Sequence, residues 1–210
     1  MTAAPNRLEE LRALVPEVQA ALAGLSGEVG RLQAELAQTQ ARLAEAERLA
    51  DRDPLTGLLN RRGFGRELRR AAAFSARHGV PAAVVYLDMN GFKAVNDTLG
   101  HDAGDAALAH VARLLEGNIR ETDAAGRLGG DEFAVVLLHA PEAAARAKAE
   151  QLQRLVAETP FVFDGRPSRL AVAVGVRPMQ PGADPQRALS EADRAMYADK
   201  SARGRLRPVG

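Results

Sequence analysis

The sequence predicts an α/β or α+β domain, with a central sheet flanked by helices, preceded by a long coiled-coil helix. Two observations predict this fold class. One is a stripe of apolar residues, spaced alternately by three and four, that runs from Leu8 to Ala50. The other is the interleaving of helical and extended patterns beyond it, which is typical of a sheet covered by helices. Because the composition changes between them, we predict a coiled-coil dimerisation helix at residues 1–50 and a second domain at residues 51–210.

The N-terminal stripe favours a two-stranded coiled coil. Its members are Leu8, Leu11, Val15, Val18, Leu22, Leu25, Val29, Leu32, Leu36, Thr39, Leu43, Ala46 and Ala50. Polar residues at the other heptad positions make the seam narrow, so a parallel homodimer is our hypothesis. The alternative, a helix that packs on its own domain, would need a wider apolar face. Because Pro16 cannot donate a helical hydrogen bond, the first turns are expected to fray or kink.

The elements of the second domain follow from their apolar periodicity. Helices are expected at residues 61–78, 105–118, 141–158 and 185–201, and strands at residues 82–87, 133–138 and 170–176. In the first of these helices, one side carries Phe64, Leu68, Ala71 or Ala72, and Phe74. We expect that side to face the sheet.

The composition excludes several classes of protein. The absence of cysteine excludes disulfides and thiolate metal sites, so any metal is held by harder donors, which points to Mg²⁺. A net charge of +1 gives no reason to expect nucleic-acid binding, which usually needs a basic face. No apolar run approaches the roughly 20 residues of a membrane span, and the start lacks the apolar core of a signal peptide. We therefore expect a cytoplasmic protein with no membrane span.

The first candidate for chemistry is Asp88, which directly follows an apolar strand. Folds of this class commonly place reacting groups at that edge, although a lone aspartate there is more often a helix cap. The residues that follow change the odds. Asn90 to Lys93 form a turn whose backbone amides could line a phosphate, and the turn ends on one of only three lysines.

The second candidate is the acidic turn, which we define as residues 129–132, Gly-Gly-Asp-Glu. Two glycines before an apolar run predict a tight hairpin with positive φ. Such a turn is common when it stands alone. Together with Asp88, it could bring two carboxylates to one sheet edge, which is how proteins hold Mg²⁺ against substrate phosphates.

Five ordered blocks now show a resemblance. They are DPLTGLLNRR at residues 53–62, LDMNGFK at 87–93, NDTLGHDAGD at 96–105, RLGGDEF at 127–133 and ADRAMYADK at 192–200. Over about residues 51–206 the chain resembles the GGDEF-domain diguanylate cyclase family. The resemblance implies a palm-like central sheet flanked by helices, related to class III nucleotidyl cyclases and many polymerases.

The resemblance also implies an activity, the condensation of two GTP into cyclic di-GMP with release of two pyrophosphates. In this nucleotidyl transfer a 3′-hydroxyl attacks an α-phosphorus. Asp88, Asp131 and the carbonyl of Met89 would hold Mg²⁺ or Mn²⁺, and Asp131 would help to deprotonate the hydroxyl. Glu132 would support this site, and Lys93 would neutralise phosphate charge.

Four further positions match the binding of GTP. Asn96 and Asp105 match the guanine readers, because a carboxylate accepts from the base's N–H donors and an amide both donates and accepts. Turn or helix capping is the alternative for both. Phe92 and His101 match substrate-contacting positions, although a lone histidine is more often structural.

The C-terminal block departs from the family pattern. Lys200 matches a basic position that contacts phosphate. The usual arginine four residues later is Gly204 here, and Arg205 comes one residue late. The place of Arg205 in GTP binding is therefore open.

The Arg120-Glu121-Thr122-Asp123 segment resembles the family's inhibitory product site. There a guanidinium binds phosphate or stacks on guanine, and the carboxylate can accept from the guanine. An Arg-x-x-Asp pair near a helix end is otherwise usually a surface ion pair. At this distance from the acidic turn, the resemblance implies cyclic di-GMP as an allosteric ligand.

Dimerisation follows from the implied mechanism. Each domain would bind one GTP, so cyclisation needs two domains facing each other, and the coiled coil would raise their effective concentration. The alternative is a non-catalytic GGDEF module that binds GTP or cyclic di-GMP for signalling. Such modules usually lack the acidic turn residues or the strand-end aspartate, which are all present here. A coiled-coil scaffold, the third possibility, would leave the matched site residues unexplained.

Overall fold

The structure, a computed structural model, describes the main chain of residues 7–205. Side chains are described for residues 14–201 except residues 17, 41 and 44–49. The side chains of Leu8, Leu11, Ala46 and Arg205, all named above, lie outside the described residues. Contacts divide the chain into two compact units between Leu49 and Ala50.

The first unit is one long helix, α1 (Arg7–Ala50). It continues through Pro16, so the expected fraying is not found from Arg7 onward. The described leucines and valines of the stripe are 50–59% exposed, namely Val15, Val18, Leu22, Leu25, Val29, Leu32, Leu36 and Leu43. In the single chain the apolar seam is therefore open to solvent.

The second unit confirms the predicted fold class. Its helices are α2 (Arg61–His78), α3 (Phe92–Leu99), α4 (His101–Glu116), α5 (Glu142–Glu158) and α6 (Pro185–Arg205). Its strands are β1 (Ala82–Met89), β2 (Ala124–Gly129), β3 (Glu132–Leu138), β4 (Phe161–Phe163), β5 (Arg166–Ser168) and β6 (Val172–Met179). Four strands form the central sheet in the order β2-β3-β1-β6, and every neighbouring pair is antiparallel. Strands β4 and β5 form a separate hairpin.

Side chains alternate along each strand, so every strand sends residues to both faces of the sheet. Helices cover both faces, and both are therefore buried. Val85 and Leu87 of β1 belong to the core beneath α4 and α5. Val84 and Tyr86 belong to the core beneath α2 and α6. This double burial is why β1 has an uninterrupted apolar sequence. By the same alternation, Asp88 lies on the side of α2 and α6.

Phe74 does not pack on the sheet as expected, since 40% of it is exposed. The inward position is taken by Ser75, which is 1% exposed and donates from its hydroxyl to the Val80 carbonyl at 2.7 Å. A buried stripe of steps four, three and four leads to Ser75, so Phe74 falls beside it. Its ring lies 4.4 Å from that of His78, between centroids.

Candidate active site

Two acidic residues lie together at one edge of the central sheet. Asp88 is the penultimate residue of β1, and Asp131 lies in the turn that joins β2 to β3. Across the strands, Asp88 is opposite Glu132. The main chain closes the arrangement, because the Met89 amide donates to the Asp131 carbonyl at 3.2 Å. The structure thus brings the strand-end carboxylate and the acidic turn to one place.

The acidic turn has the backbone conformation that its glycines predict. Gly129 and Gly130 have φ values of 147° and 52°, in the region that other residues rarely adopt. Gly129 pairs with Glu132, so Gly130 and Asp131 form a two-residue loop. A shift in the pairing between Arg127 and Gly129 marks a bulge, a feature that re-aims side chains next to active sites.

The electrostatics of this edge are those of two like charges held close. Burial, together with the negative charge of Asp88, raises the pKa of Asp131 against the opposing charges of Lys200 and Arg127. Lys200 Nζ donates to Asp88 Oδ1, and the Asp88 side chain is only 14% exposed. A pair of carboxylates in such surroundings is stabilised by a cation between or beside them.

The donor set fits a hard divalent ion. Asp88 and Asp131 would supply carboxylate oxygens, and the Met89 carbonyl at the end of β1 is the third predicted donor. Within the described residues, no group of three or more His, Cys, Asp or Glu side chains could hold a metal. Water and substrate oxygens would therefore complete the shell, as is usual for Mg²⁺.

Lys200 reaches this edge from α6, which packs directly on the backbone of β6. A Cβ at Gly175 would collide with the backbone of Ala192 and Met196. Lys200 lies one turn beyond Met196 on the same side of the helix. The close approach at Gly175 therefore sets how near Lys200 comes to the sheet edge.

The end of β1 leads into α3, an element that the sequence patterns did not predict. Gly91 caps this helix with φ of 70°, and Lys93 lies exposed in its first turn. The predicted phosphate turn is thus the start of a helix. Backbone amides at a helix N-terminus favour anions, so this helix start is compatible with the predicted phosphate contact, which stays a prediction.

The residues matched to guanine recognition lie on two helices in contact, α3 and α4. Asn96 and Phe92 of α3 converge on Gly104 of α4, where a Cβ would collide with Asn96 Oδ1 and lie 3.3 Å from the Phe92 ring. Asp105 follows Gly104 directly, and His101 begins α4. Both are exposed. Gly104 was not singled out from the sequence, although a glycine inside a helix costs about 1 kcal/mol and so signals a packing reason.

Arg127, which carried no predicted role, joins the acidic turn to the residues after α1. It donates through Nε and a terminal nitrogen to the Gly130 carbonyl at 2.9 and 2.8 Å, and its other nitrogen lies 3.3 Å from Asp53 Oδ1. Burial alone would raise the pKa of Asp53, but hydrogen bonds from Thr56 and the charge of Arg127 lower it. Asp53 is therefore an ionised anchor for Arg127.

The turn predicted to bind product, residues 120–123 and called the product-site turn below, lies at the other end of β2 from the acidic turn. Asp123 Oδ2 accepts from the Arg120 amide and its Oδ1 from the Leu138 amide, both at 3.1 Å. A cleft of about 400 Å³ lies between this turn and α2, lined among others by Arg70, Phe74 and Asp123. The Arg120 side chain is exposed.

Comparisons with known proteins agree with the geometry. Residues 50–205 match the family model described as diguanylate cyclase, GGDEF domain. The chain is 37% identical to diguanylate cyclase TpbB of Pseudomonas aeruginosa (strain UCBPP-PA14) over 205 residues, 95% of this chain and 45% of TpbB. It is 32% identical to diguanylate cyclase DgcP of Pseudomonas aeruginosa PAO1 over 191 residues, 90% of this chain and 28% of DgcP. The chain spans less than half the length of these curated relatives.

Solved structures show the same fold. Diguanylate cyclase SiaD from Pseudomonas aeruginosa, in complex with its activator SiaC, superposes with a TM-score of 0.73 at 32% identity, covering 92% of this chain and 75% of SiaD. The coiled coil and GGDEF domain of DgcB from Caulobacter crescentus, in complex with c-di-GMP, gives a TM-score of 0.70 at 29% identity, covering 88% and 95%. No helix in the described part of the chain is long and apolar enough to cross a membrane. The acidic turn, the strand-end aspartate and these matches together establish that the chain belongs to the diguanylate cyclase GGDEF-domain family.

Proposed function

We propose that this protein is a diguanylate cyclase that joins two GTP into cyclic di-GMP and releases two pyrophosphates. The observation that carries the proposal is the meeting of Asp88 and Asp131 at one sheet edge, with Lys200 on Asp88. Such an edge combines a site for divalent cations with a basic group for phosphate. The relatives named diguanylate cyclase support the same activity.

Asp88, Asp131 and the Met89 carbonyl would hold Mg²⁺ or Mn²⁺. When bound, the metal stabilises negative charge on the attacking and leaving oxygens of a phosphoryl transfer. Asp131 accepts the proton of the 3′-hydroxyl, with Glu132 in support. Lys93 contacts phosphate from the first turn of α3.

Lys200 would bind two different anions in turn, the Asp88 carboxylate and a phosphate of the nucleotide. Its ammonium is bonded to Asp88 in the structure, which is also a proposed metal ligand. When metal and nucleotide enter, the ammonium leaves Asp88 for a phosphate oxygen. One lysine thereby balances the carboxylates before binding and the triphosphate after it.

Asn96 and Asp105 would read the guanine, with Phe92 and His101 beside the nucleotide. Gly104 supports this assignment, because its missing side chain is what allows Asn96 and Phe92 to reach the same spot. The described residues do not include the Arg205 side chain, and its part in GTP binding stays a prediction.

The active form would be a homodimer joined through α1. The open seam of α1 supports this, since its leucines and valines are half exposed in the single chain. We expect Leu25→Glu together with Leu32→Glu to weaken the dimer and to lower specific activity most at low protein concentration. Equal specific activity of variant and wild type across a dilution series would contradict this role.

Cyclic di-GMP would also act as an inhibitor, bound at the product-site turn and the adjoining cleft. The exposed Arg120 guanidinium and the cleft of about 400 Å³ support such a site. The complex of the DgcB coiled coil and GGDEF domain with c-di-GMP gives a relative that binds this nucleotide.

The activity is tested by incubating the pure protein with GTP and Mg²⁺ and separating the products. We expect cyclic di-GMP and pyrophosphate, no product with Asp131→Asn, and wild-type yield with Asp164→Asn, a matched change at an exposed aspartate in the β4–β5 turn. A non-catalytic module would bind nucleotide and form no cyclic di-GMP, which would refute the proposal.

A further inference from the structure

The Glu132 carboxylate forms an ion pair with Arg61 and lies near Tyr86. An Arg61 terminal nitrogen lies 3.6 Å from Glu132 Oε2. Burial raises the pKa of the Tyr86 hydroxyl, and so does the negative charge of Glu132. Tyr86 lies on β1 diagonally across from Glu132, on the same face of the sheet. Neither Arg61 nor Tyr86, the two residues beside Glu132, had a predicted role.

Arg61 makes a second contact, on the other arm of the same hairpin. Its Nε donates to the Leu128 carbonyl at 2.7 Å. Leu128 precedes the acidic turn on β2, and Glu132 begins β3. One guanidinium thus bridges the two strands, with Asp131 in the loop between its contacts.

The helix cap at Asn60 fixes the main chain of Arg61. Arg61 is the first residue of α2, whose Asn60 cap accepts from the Gly63 amide at 3.0 Å. The Asn60 side chain also donates to the Ala50 carbonyl at 2.7 Å. The position of the Arg61 main chain is therefore fixed, and its side chain extends from there to the hairpin.

We propose that Arg61 is a positioning residue for the cyclase reaction, which holds the acidic turn so that Asp131 meets Asp88. Hydrogen bonds to its carbonyls hold the loop tip, and Arg61 ties together the two strands that lead into it. A misplacement of about 1 Å in a reacting group costs up to about 10²-fold in rate. Arg61 makes no contact with the carboxylates of Asp88 or Asp131 and acts through Leu128 and Glu132. The inference rests on the proposed function.

The geometry explains why an arginine is needed. A guanidinium presents five donors in a planar fork, so one group can serve a carbonyl and a carboxylate at once. A lysine presents a single point charge on a flexible stem. Lysine at this position would keep the attraction to Glu132 and lose the simultaneous contact to Leu128.

The test compares Arg61→Ala and Arg61→Lys with Arg69→Ala, a control at another exposed arginine of α2. For each protein we measure kcat and KM for GTP, the melting temperature, and Mn²⁺ affinity without nucleotide by electron paramagnetic resonance. We expect Arg61→Ala to lower kcat about tenfold or more and to weaken Mn²⁺ binding severalfold. KM and melting temperature should stay close to wild type, with Arg61→Lys intermediate and Arg69→Ala unchanged.

Two results would overturn the inference. One is an Arg61→Ala protein whose kcat and Mn²⁺ affinity equal those of Arg69→Ala. The other is a loss that merely follows the unfolded fraction and disappears at lower temperature. Failure of the proposed function is separate: a wild type that forms no cyclic di-GMP defeats the activity, while weaker Mn²⁺ binding by Arg61→Ala would still support the bridge.

Discussion

The turns at the two ends of β2 each contain an aspartate, and the two aspartates lie in different surroundings. In the product-site turn, both carboxylate oxygens of Asp123 accept backbone amides. In the acidic turn, Asp131 lies beside Asp88, and burial and that neighbour raise its pKa. The Asp123 carboxylate therefore stabilises the fold through its hydrogen bonds. The ionised Asp131 carboxylate destabilises the fold, and a bound cation would relieve that effect. The comparison separates a carboxylate that stabilises the protein from one that is kept available for a ligand.

The largest expected effect tests the available carboxylate. Asp131→Asn should lower cyclic di-GMP synthesis by roughly 10³-fold or more, because it would remove the proposed metal ligand and proton acceptor. Initial rates with GTP and Mg²⁺ measure it. Retention of a tenth of the wild-type rate would contradict the assignment.

The same variant should not be less stable in the absence of metal. The pKa of Asp131 is raised in the folded state, so its ionisation costs stability as the pH rises through the ordinary carboxyl range. At neutral pH the amide removes that cost. Melting curves in EDTA should therefore show an equal or higher melting temperature for Asp131→Asn, and the difference should vanish in acid below the ordinary carboxyl pKa.

Arg120→Ala tests the other turn for its ligand. Loss of charged hydrogen bonds to a nucleotide is worth about 1.5–3 kcal/mol, which corresponds to a roughly 10- to 100-fold loss of affinity for cyclic di-GMP. Titration of the rate with added product measures the change. Unaltered inhibition by product would exclude Arg120 from the site.

Asp123→Ala tests the carboxylate that stabilises the fold. The substitution leaves the Arg120 and Leu138 amides without their acceptor, so we expect the free energy of unfolding to fall by about 1–3 kcal/mol. Chemical denaturation measures it, with Asp164→Asn as a control in an exposed turn. A stability equal to that of the control would remove the distinction between the two turns.

The smallest expected effect concerns Lys200, which donates a hydrogen bond to Asp88 near the acidic turn. Because an ammonium and a metal ion compete for one carboxylate, Lys200→Met should bind Mn²⁺ a few-fold more tightly without nucleotide and show a higher KM for GTP. Lys148→Met, at a lysine of α5 that is half-buried like Lys200, is the matched control. Weaker Mn²⁺ binding by Lys200→Met than by the control would contradict the competition.

Local signals in the sequence were sufficient to predict much of the fold and the meeting of Asp88 with the acidic turn. The predicted helix at residues 61–78 has the bounds of α2, and the strand-end aspartate and acidic turn lie together as expected. These features depend on short-range periodicity and on glycine, which a sequence displays directly. Strand β2 was missed because its residues, Ala-Ala-Gly-Arg-Leu-Gly, include no β-branched or aromatic side chain.

What remained hidden depends on contacts between distant residues. Arg61 and Leu128 are 67 residues apart, and no periodicity announces that bond. The backbone bonds of Asp123 were likewise invisible, so its carboxylate was assigned to ligand binding, with a surface ion pair as the alternative. The collision that Gly104 avoids is with Asn96 on another helix, which requires the packing of α3 on α4.

The bond from the Met89 amide to the Asp131 carbonyl has a consequence for substitutions at the loop tip. Since the loop tip is tied down through main-chain atoms, its shape is indifferent to which side chain position 131 carries. A neutral residue at position 131 would therefore change the charge at this sheet edge and leave the path of the main chain through the loop in place.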